Sequence, residues 1–120
     1  MDIDWATTII NPKELIHISR GDHKVIYKYL IQFKELIPQR IDSLEKSLEA
    51  GNRKSVRQIL HQMSPQLQFF GIKNIVSPIR RLEHEYETIP MVELNTLVDS
   101  ILIKLNLAIE DVDLTLKKNF

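Results

Sequence analysis

Residues 59–72 read ILHQMSPQLQFFGI, and their pattern is the first indication of how the chain folds. Its apolar side chains recur at spacings of three and four, which predicts one face of an amphipathic α-helix. These side chains are Ile59, Leu60, Met63, Leu67 and Phe70. Pro65 lies among them, and His61 falls on the opposite, solvent-facing side. Proline lacks the N–H that would bond to the carbonyl of His61, which costs roughly 3 kcal/mol in a helix interior. The pattern indicates either a functional constraint or a bend that follows the packing, and the sequence leaves both open.

Composition is typical of a soluble globular protein. The chain has 120 residues, 43% hydrophobic and 27% charged, which suits one domain spanning residues 1–120. Its 16 basic and 16 acidic side chains balance, which argues against a general nucleic-acid binder. There is no cysteine, no signal-like start and no stretch apolar enough to span a bilayer. We therefore expect a cytoplasmic protein that binds neither nucleic acid nor a membrane.

Two helices are predicted before the opening stretch. Asn11 and Pro12 fit the N-cap and first position of a short helix that ends near Gly21. Asp22 is the expected cap of a long second helix, which runs to about Glu49. Its apolar stripe consists of Ile26, Leu30, Phe33, Ile37, Ile41, Leu44 and Leu48.

Two more helices are predicted after it. The apolar residues of the fourth are Ile72, Ile75, Ile79, Leu82, Tyr86 and Ile89. Those of the fifth are Leu94, Val98, Ile101, Leu105, Ala108 and Val112. Short turns between long helices make neighbours antiparallel. The prediction is therefore an all-α fold: an up-and-down antiparallel four-helix bundle with a short N-terminal capping helix.

The polar face of the third helix carries the histidine and two cations. At about 100° per residue, five side chains fall within about 80° of each other. They are Lys54, Arg57, His61, Ser64 and Gln68. From periodicity alone, an exposed histidine in such a position is most simply an ordinary surface residue.

The segment from His61 to Gly71, HQMSPQLQFFG, resembles the motif of histidine-containing phosphotransfer (HPt) domains. In that family the phospho-accepting histidine is followed by Lys-Gly at the third and fourth places and by glycine at the tenth. The layout is similar too: a short leading helix, a long helix ending in SLEKSLEAGN, the histidine helix, and a helix ending in IRRLE. The resemblance covers nearly the whole chain and implies a phosphorelay carrier of a two-component system.

The resemblance also implies roles for individual residues. Nε2 of His61 would accept a phosphoryl group from a phospho-aspartate on a response-regulator receiver domain and pass it on. Glu83 would hold Nδ1–H and orient the imidazole, although a solvated surface carboxylate is an equally simple interpretation of Glu83. The receiver would bring Mg²⁺ and most of the catalytic machinery, so the chain would be a carrier with no cofactor of its own. A hybrid sensor histidine kinase is a second partner that the family implies.

Two residues depart from the family motif. Ser64 stands in place of the usual lysine, and Pro65 in place of the usual glycine. Serine donates a hydrogen bond but brings no positive charge, so we expect nearby cations to compensate. The residues expected to contact the phosphoryl group or the partner are Lys54, Arg57, Ser64, Pro65, Gln68, Gly71 and Arg80.

Two other functions compete with the carrier. The first is an adaptor with the same bundle, which would dock a receiver or a kinase without taking phosphate. The changes at Ser64 and Pro65 favour the adaptor, and the retention of His61 opposes it. The second is a small helical phosphatase, for which the sequence offers no separate acid–base set.

The remaining histidines do not predict a metal site. His17, His23 and His84 form no coherent ligand set. A di-metal bundle needs two Glu-x-x-His pairs and further carboxylates, whereas the chain has one such pair, from Glu14 to His17. There is also no glycine-rich phosphate loop.

Overall fold

The fold is described by a computed structural model that covers residues 2–120. In that range the chain forms five α-helices and no β-strand. The helices are α1 (Lys13–Ser19), α2 (His23–Glu49), α3 (Arg53–Phe69), α4 (Val76–Glu85) and α5 (Met91–Asn119). The all-α prediction is confirmed. None of these helices contains a stretch long and apolar enough to cross a membrane.

Capping side chains mark the first residues of α2 and α3. Asp22 accepts a hydrogen bond from the backbone N–H of Lys24 at 2.9 Å and caps α2, as predicted. Asn52 accepts from the N–H of Ser55 at 3.0 Å and caps α3 in the same way. The start of α3 is therefore marked by a capping residue next to it in the chain.

The predicted fourth helix differs from the structure mainly at its start. It was expected to follow the turn at Gly71 and to break at residues 88–90, whereas α4 occupies Val76–Glu85. Gly71 and Asn74 have φ angles of 56° and 60°, in the left-handed region, so a right-handed helix cannot run through them. Ile72 and Ile89 are nevertheless buried. Their spacing reflects turns that pack onto the core rather than helical structure.

The helices surround one continuous apolar core. α2 contacts α1, α3 and α5, while α4 bridges α3 and α5. α2 and α3 run in opposite directions, as two contacts show. The hydroxyls of Ser47 and Ser55 lie 2.7 Å apart beside the turn between them, and the rings of Phe33 and Phe70 lie 4.3 Å apart far from that turn.

Residues 4–11, the N-terminal segment, run along α5 without forming a helix or strand, and they bend at Thr8 and Ile9. Three polar side chains at successive turns of α5 bind the segment's backbone: Asp111, Thr115 and Asn119. Asp111 is only 3% exposed, and its carboxylate accepts three backbone N–H groups at 3.1, 2.8 and 3.0 Å. Those groups belong to Thr8, Ile9 and Ile10. A buried carboxylate thus satisfies backbone donors that no helix or sheet would satisfy.

The N-terminal segment also contacts the turn between α3 and α4. The N–H of Asn11 donates to the carbonyl of Phe70 at 2.9 Å, and the N–H of Lys73 donates to the carbonyl of Ile9 at 3.1 Å. Gly71 lies against Asn11 at this crossing. The segment therefore links the carboxyl-terminal half of α5 to the end of the histidine helix.

Candidate functional site

His61 lies on the solvent side of α3, opposite the side of the helix that faces the core. The core side carries Val56, Leu60, Met63 and Leu67, each at most 1% exposed. The His61 side chain is 65% exposed. The amphipathic pattern of the sequence is thus confirmed, and a partner could reach the imidazole.

The imidazole of His61 contacts Glu83, which lies on the neighbouring helix α4. Nδ1 of His61 and Oε1 of Glu83 are 3.0 Å apart, and the Glu83 side chain is only 26% exposed. An ionised carboxylate only accepts hydrogen bonds, so the contact places the proton on Nδ1. Within residues 2–120 the hydrogen bonding of this ring involves Nδ1 alone. Nε2 therefore keeps its lone pair and is free to react.

The pair lies at one end of a shallow depression between α3 and α4, with a volume of about 330 Å³. Its α3 lining is His61, Ser64, Pro65 and Gln68, and its α4 lining is Val76, Ile79, Arg80 and Glu83. Six of these eight were predicted as site residues, and the structure brings all six together. Val76 and Ile79 were not predicted to belong to the site, although the fourth helix was expected to bury Ile79.

The lining residues are ordered along the depression. Towards the turn that joins the helices, Ser64 follows His61 by one turn of α3, and Arg80 precedes Glu83 by about one turn of α4. Gln68 lies one further turn along α3 and donates from Nε2 to Oγ of Ser64 at 3.3 Å. The hydroxyl of Ser64 is thus itself hydrogen-bonded.

Arg80 is the one cationic residue that lines this depression, and it has no ion-pair partner within residues 2–120. Its neighbour Arg81 is different: it pairs with Glu85 at 3.0 Å and with Glu93 at 2.7 Å. Hydrogen bonds to these two carboxylates raise the pKa of Arg81 above its usual value. Arg80 is therefore not tied to a carboxylate, and Glu83, the carboxylate that lines the same depression, is bonded to His61 instead.

Three predicted site residues do not line the depression. The guanidinium of Arg57 lies 5.6 Å from the centre of the Tyr86 ring, and Lys54 lies a turn nearer the start of α3. Gly71 is in the turn, where it packs against Asn11. A helical wheel could not separate these residues from the site, because it gives the angle of a side chain but not which residue of α4 faces it.

A second depression adjoins the first on the side of α1. It is lined by Glu14, Pro65, Gln68 and Phe69. Pro65 and Gln68 border both depressions, so they form a ridge with the exposed cation of Arg80 on one side and the carboxylate of Glu14 on the other.

No three His, Asp or Glu side chains within residues 2–120 are grouped so that they could hold a metal ion. Comparisons of the chain with protein-family models, with curated proteins and with solved structures found no match. A function for this chain is therefore argued from the site.

Proposed function

We propose that this protein is a phosphorelay carrier of the HPt type. Nε2 of His61 accepts a phosphoryl group from the phospho-aspartate of a response-regulator receiver domain and later returns it to a receiver or to a hybrid sensor histidine kinase. The observation that carries the proposal is the pairing of His61 with Glu83: an exposed imidazole whose Nδ1 is held at 3.0 Å by a half-buried carboxylate. This arrangement leaves a nucleophilic nitrogen facing outwards.

The proposal includes the up-and-down antiparallel four-helix bundle, formed by α2 to α5 and capped by α1. Two observations support it. α2, α3, α4 and α5 contact one another in a closed ring around a single core, and α2 runs opposite to α3. A rigid bundle holds α3 and α4 at a fixed separation, as the His61–Glu83 contact requires.

The transfer step balances without any further reagent. The lone pair on Nε2 forms the N–P bond, and the P–O bond to the receiver's aspartyl oxygen breaks, with its electron pair leaving on the carboxylate. The imidazole ring becomes positively charged, because the proton on Nδ1 stays in place. Glu83 stabilises that charge through the hydrogen bond it already accepts.

The partner provides what the carrier lacks. Phosphoryl transfer needs charge neutralisation and in-line positioning, and a receiver domain supplies Mg²⁺ for that purpose. The protein itself is then a phosphocarrier rather than an enzyme. Since its receiver and kinase partners act in the cytoplasm, we propose the same compartment for this protein.

The test is phosphoryl transfer from a phosphorylated receiver domain in the presence of Mg²⁺. Acid-labile phosphate is expected on the wild-type chain and on His84→Gln, which removes another exposed histidine, next to Glu83 in the chain. It is expected to be absent from His61→Gln. Labelling that persists in His61→Gln, or that is lost in both variants, would contradict the assignment of His61.

An adaptor that docks a receiver without taking phosphate is the second candidate. The observation that favours it is the neutral Ser64 one turn after His61, with Pro65 beside it on the ridge. The same experiment separates the two functions. Tight binding of receivers without phosphohistidine on the wild-type chain establishes the adaptor.

A further inference from the structure

We infer that Arg80 binds the phosphoryl group carried by His61 and supplies the positive charge that Ser64 cannot. This inference rests on the proposed phosphocarrier function and identifies how the group is held. The phosphoryl group would lie between α3 and α4. It would be bonded to Nε2 of His61 on α3 and would accept hydrogen bonds from the guanidinium of Arg80 on α4.

The charges in the depression favour this assignment. A phosphoryl group at neutral pH carries a charge of about −1.5 to −2. Glu83 opposes such an anion, but it accepts from the Nδ1–H of His61 at 3.0 Å, and the positive charge that the ring gains on phosphorylation offsets its carboxylate. Arg80 is exposed, lines the same depression, and forms no ion pair in the part of the chain that the structure describes. It is therefore available to an incoming anion.

Ser64 provides an uncharged hydrogen-bond donor at the same site. Its Oγ accepts from Gln68 at 3.3 Å, and its own O–H finds no acceptor within residues 2–120. The hydroxyls of Thr96 and Thr115 behave differently, since each donates to the backbone carbonyl one turn earlier in its helix. The Ser64 hydroxyl is thus not committed to its own helix, and it can donate to a phosphoryl oxygen.

An arginine on α4 holds the group differently from a lysine on α3. The planar guanidinium presents parallel N–H donors that match two phosphoryl oxygens, whereas an ammonium acts as a point charge. Because Arg80 lies on α4 and His61 on α3, its contact with the phosphoryl group would link the two helices. Arg80→Lys is therefore expected to restore only part of what Arg80→Gln loses.

The experiment compares Arg80→Gln with Arg81→Gln, its neighbour on α4, which loses the same charge outside the depression. Phosphorylation of His61 is timed with two donors, a phosphorylated receiver with Mg²⁺ and the small molecule phosphoramidate. We expect Arg80→Gln to slow labelling from both donors roughly tenfold, the effect of losing one charge-assisted hydrogen bond. Arg81→Gln should stay close to wild type. Adding Ser64→Lys to Arg80→Gln should recover most of the rate, because it returns a cation to the site.

A second readout does not depend on rates. On phosphorylation, the NMR signal of the Arg80 Nε–H should shift, while that of Arg81 should not. Equal rates for the two glutamine variants, or an unshifted Arg80 signal, would overturn the inference. A loss confined to the receiver donor would assign Arg80 to protein docking and overturn it as well. A wild-type chain that takes no phosphate contradicts the phosphocarrier function itself, which is a separate failure.

Discussion

A β-carbon on Gly71 would lie 2.6 Å from the carbonyl oxygen of Asn11, in the segment that crosses the end of α3. Gly71 also has a φ of 56°, which side chains disfavour. Gly71→Ala is therefore expected to lower the free energy of unfolding by roughly 3 kcal/mol, since left-handed strain adds to overlap with the backbone. Urea denaturation followed by circular dichroism measures the loss.

Gly21→Ala is the matched control for that prediction. Gly21 has a φ of 73°, but nothing lies within 4 Å of the β-carbon it would gain. Its substitution should cost about 1–2 kcal/mol from backbone strain alone. If both variants lose the same free energy of unfolding, then contact with the N-terminal segment does not contribute to the cost at Gly71.

Asp111 is expected to be the most important polar residue for stability. Asp111→Ala would leave the N–H groups of Thr8, Ile9 and Ile10 without their acceptor, so we expect the free energy of unfolding to fall by about 3 kcal/mol. Glu110→Ala removes the exposed carboxylate next to it and should change little. Faster hydrogen exchange at residues 8–10 should accompany the loss in Asp111→Ala. Unchanged exchange there would argue against the carboxylate as their anchor.

Glu83 is expected to set the tautomer of His61. In the wild-type chain, nitrogen NMR of the neutral imidazole should show the proton on Nδ1, because Glu83 accepts it. Glu83→Ala should shift the ring towards the mixture of tautomers found in a solvated imidazole and should slow phosphorylation roughly tenfold. Glu83→Gln keeps an acceptor oxygen and should fall between the two. An identical tautomer in wild type and Glu83→Ala would remove the positioning role.

Pro65→Ala is expected to make the protein more stable. Alanine restores the N–H that can bond to the carbonyl of His61, and the gain should be about 1–3 kcal/mol. Pro38→Ala in α2 serves as a control, because it is also an exposed proline inside a helix. If Pro38→Ala stabilises the protein and Pro65→Ala does not, then the Pro65 ring contributes packing that the helix needs.

The features that could be predicted from the sequence depend on local pattern. The buried side of α3 follows from apolar residues at spacings of three and four, and the start of α2 follows from a single capping residue, Asp22. The resemblance to the HPt motif suggested that Glu83 orients His61, with a solvated surface carboxylate as the alternative, and the two side chains lie 3.0 Å apart. The role of the pair in phosphotransfer stays a proposal.

The features that could not be predicted depend on how helices face each other. Lys54 and Arg57 share a helical face with His61, yet neither lines the depression. The Arg57 guanidinium instead lies over the ring of Tyr86 at the end of α4. The length of α4 was also not predicted, because buried apolar residues in the flanking turns, such as Ile72, have the same spacing as those of a helix. No local signal distinguishes Asp111 from an exposed helix carboxylate. Its partners are backbone groups 101 to 103 residues away.

That separation has a consequence during synthesis. A ribosome adding about 5–20 residues per second makes Asp111 roughly 5–20 s after Ile9, which it binds 102 residues earlier in the chain. His61 and Glu83 both precede α5 in the chain, but α4, which carries Glu83, packs against α5 as well as against α3. Emergence of α5 from the exit tunnel therefore both closes the ring of helices around the core and supplies the acceptor for the amides of residues 8–10.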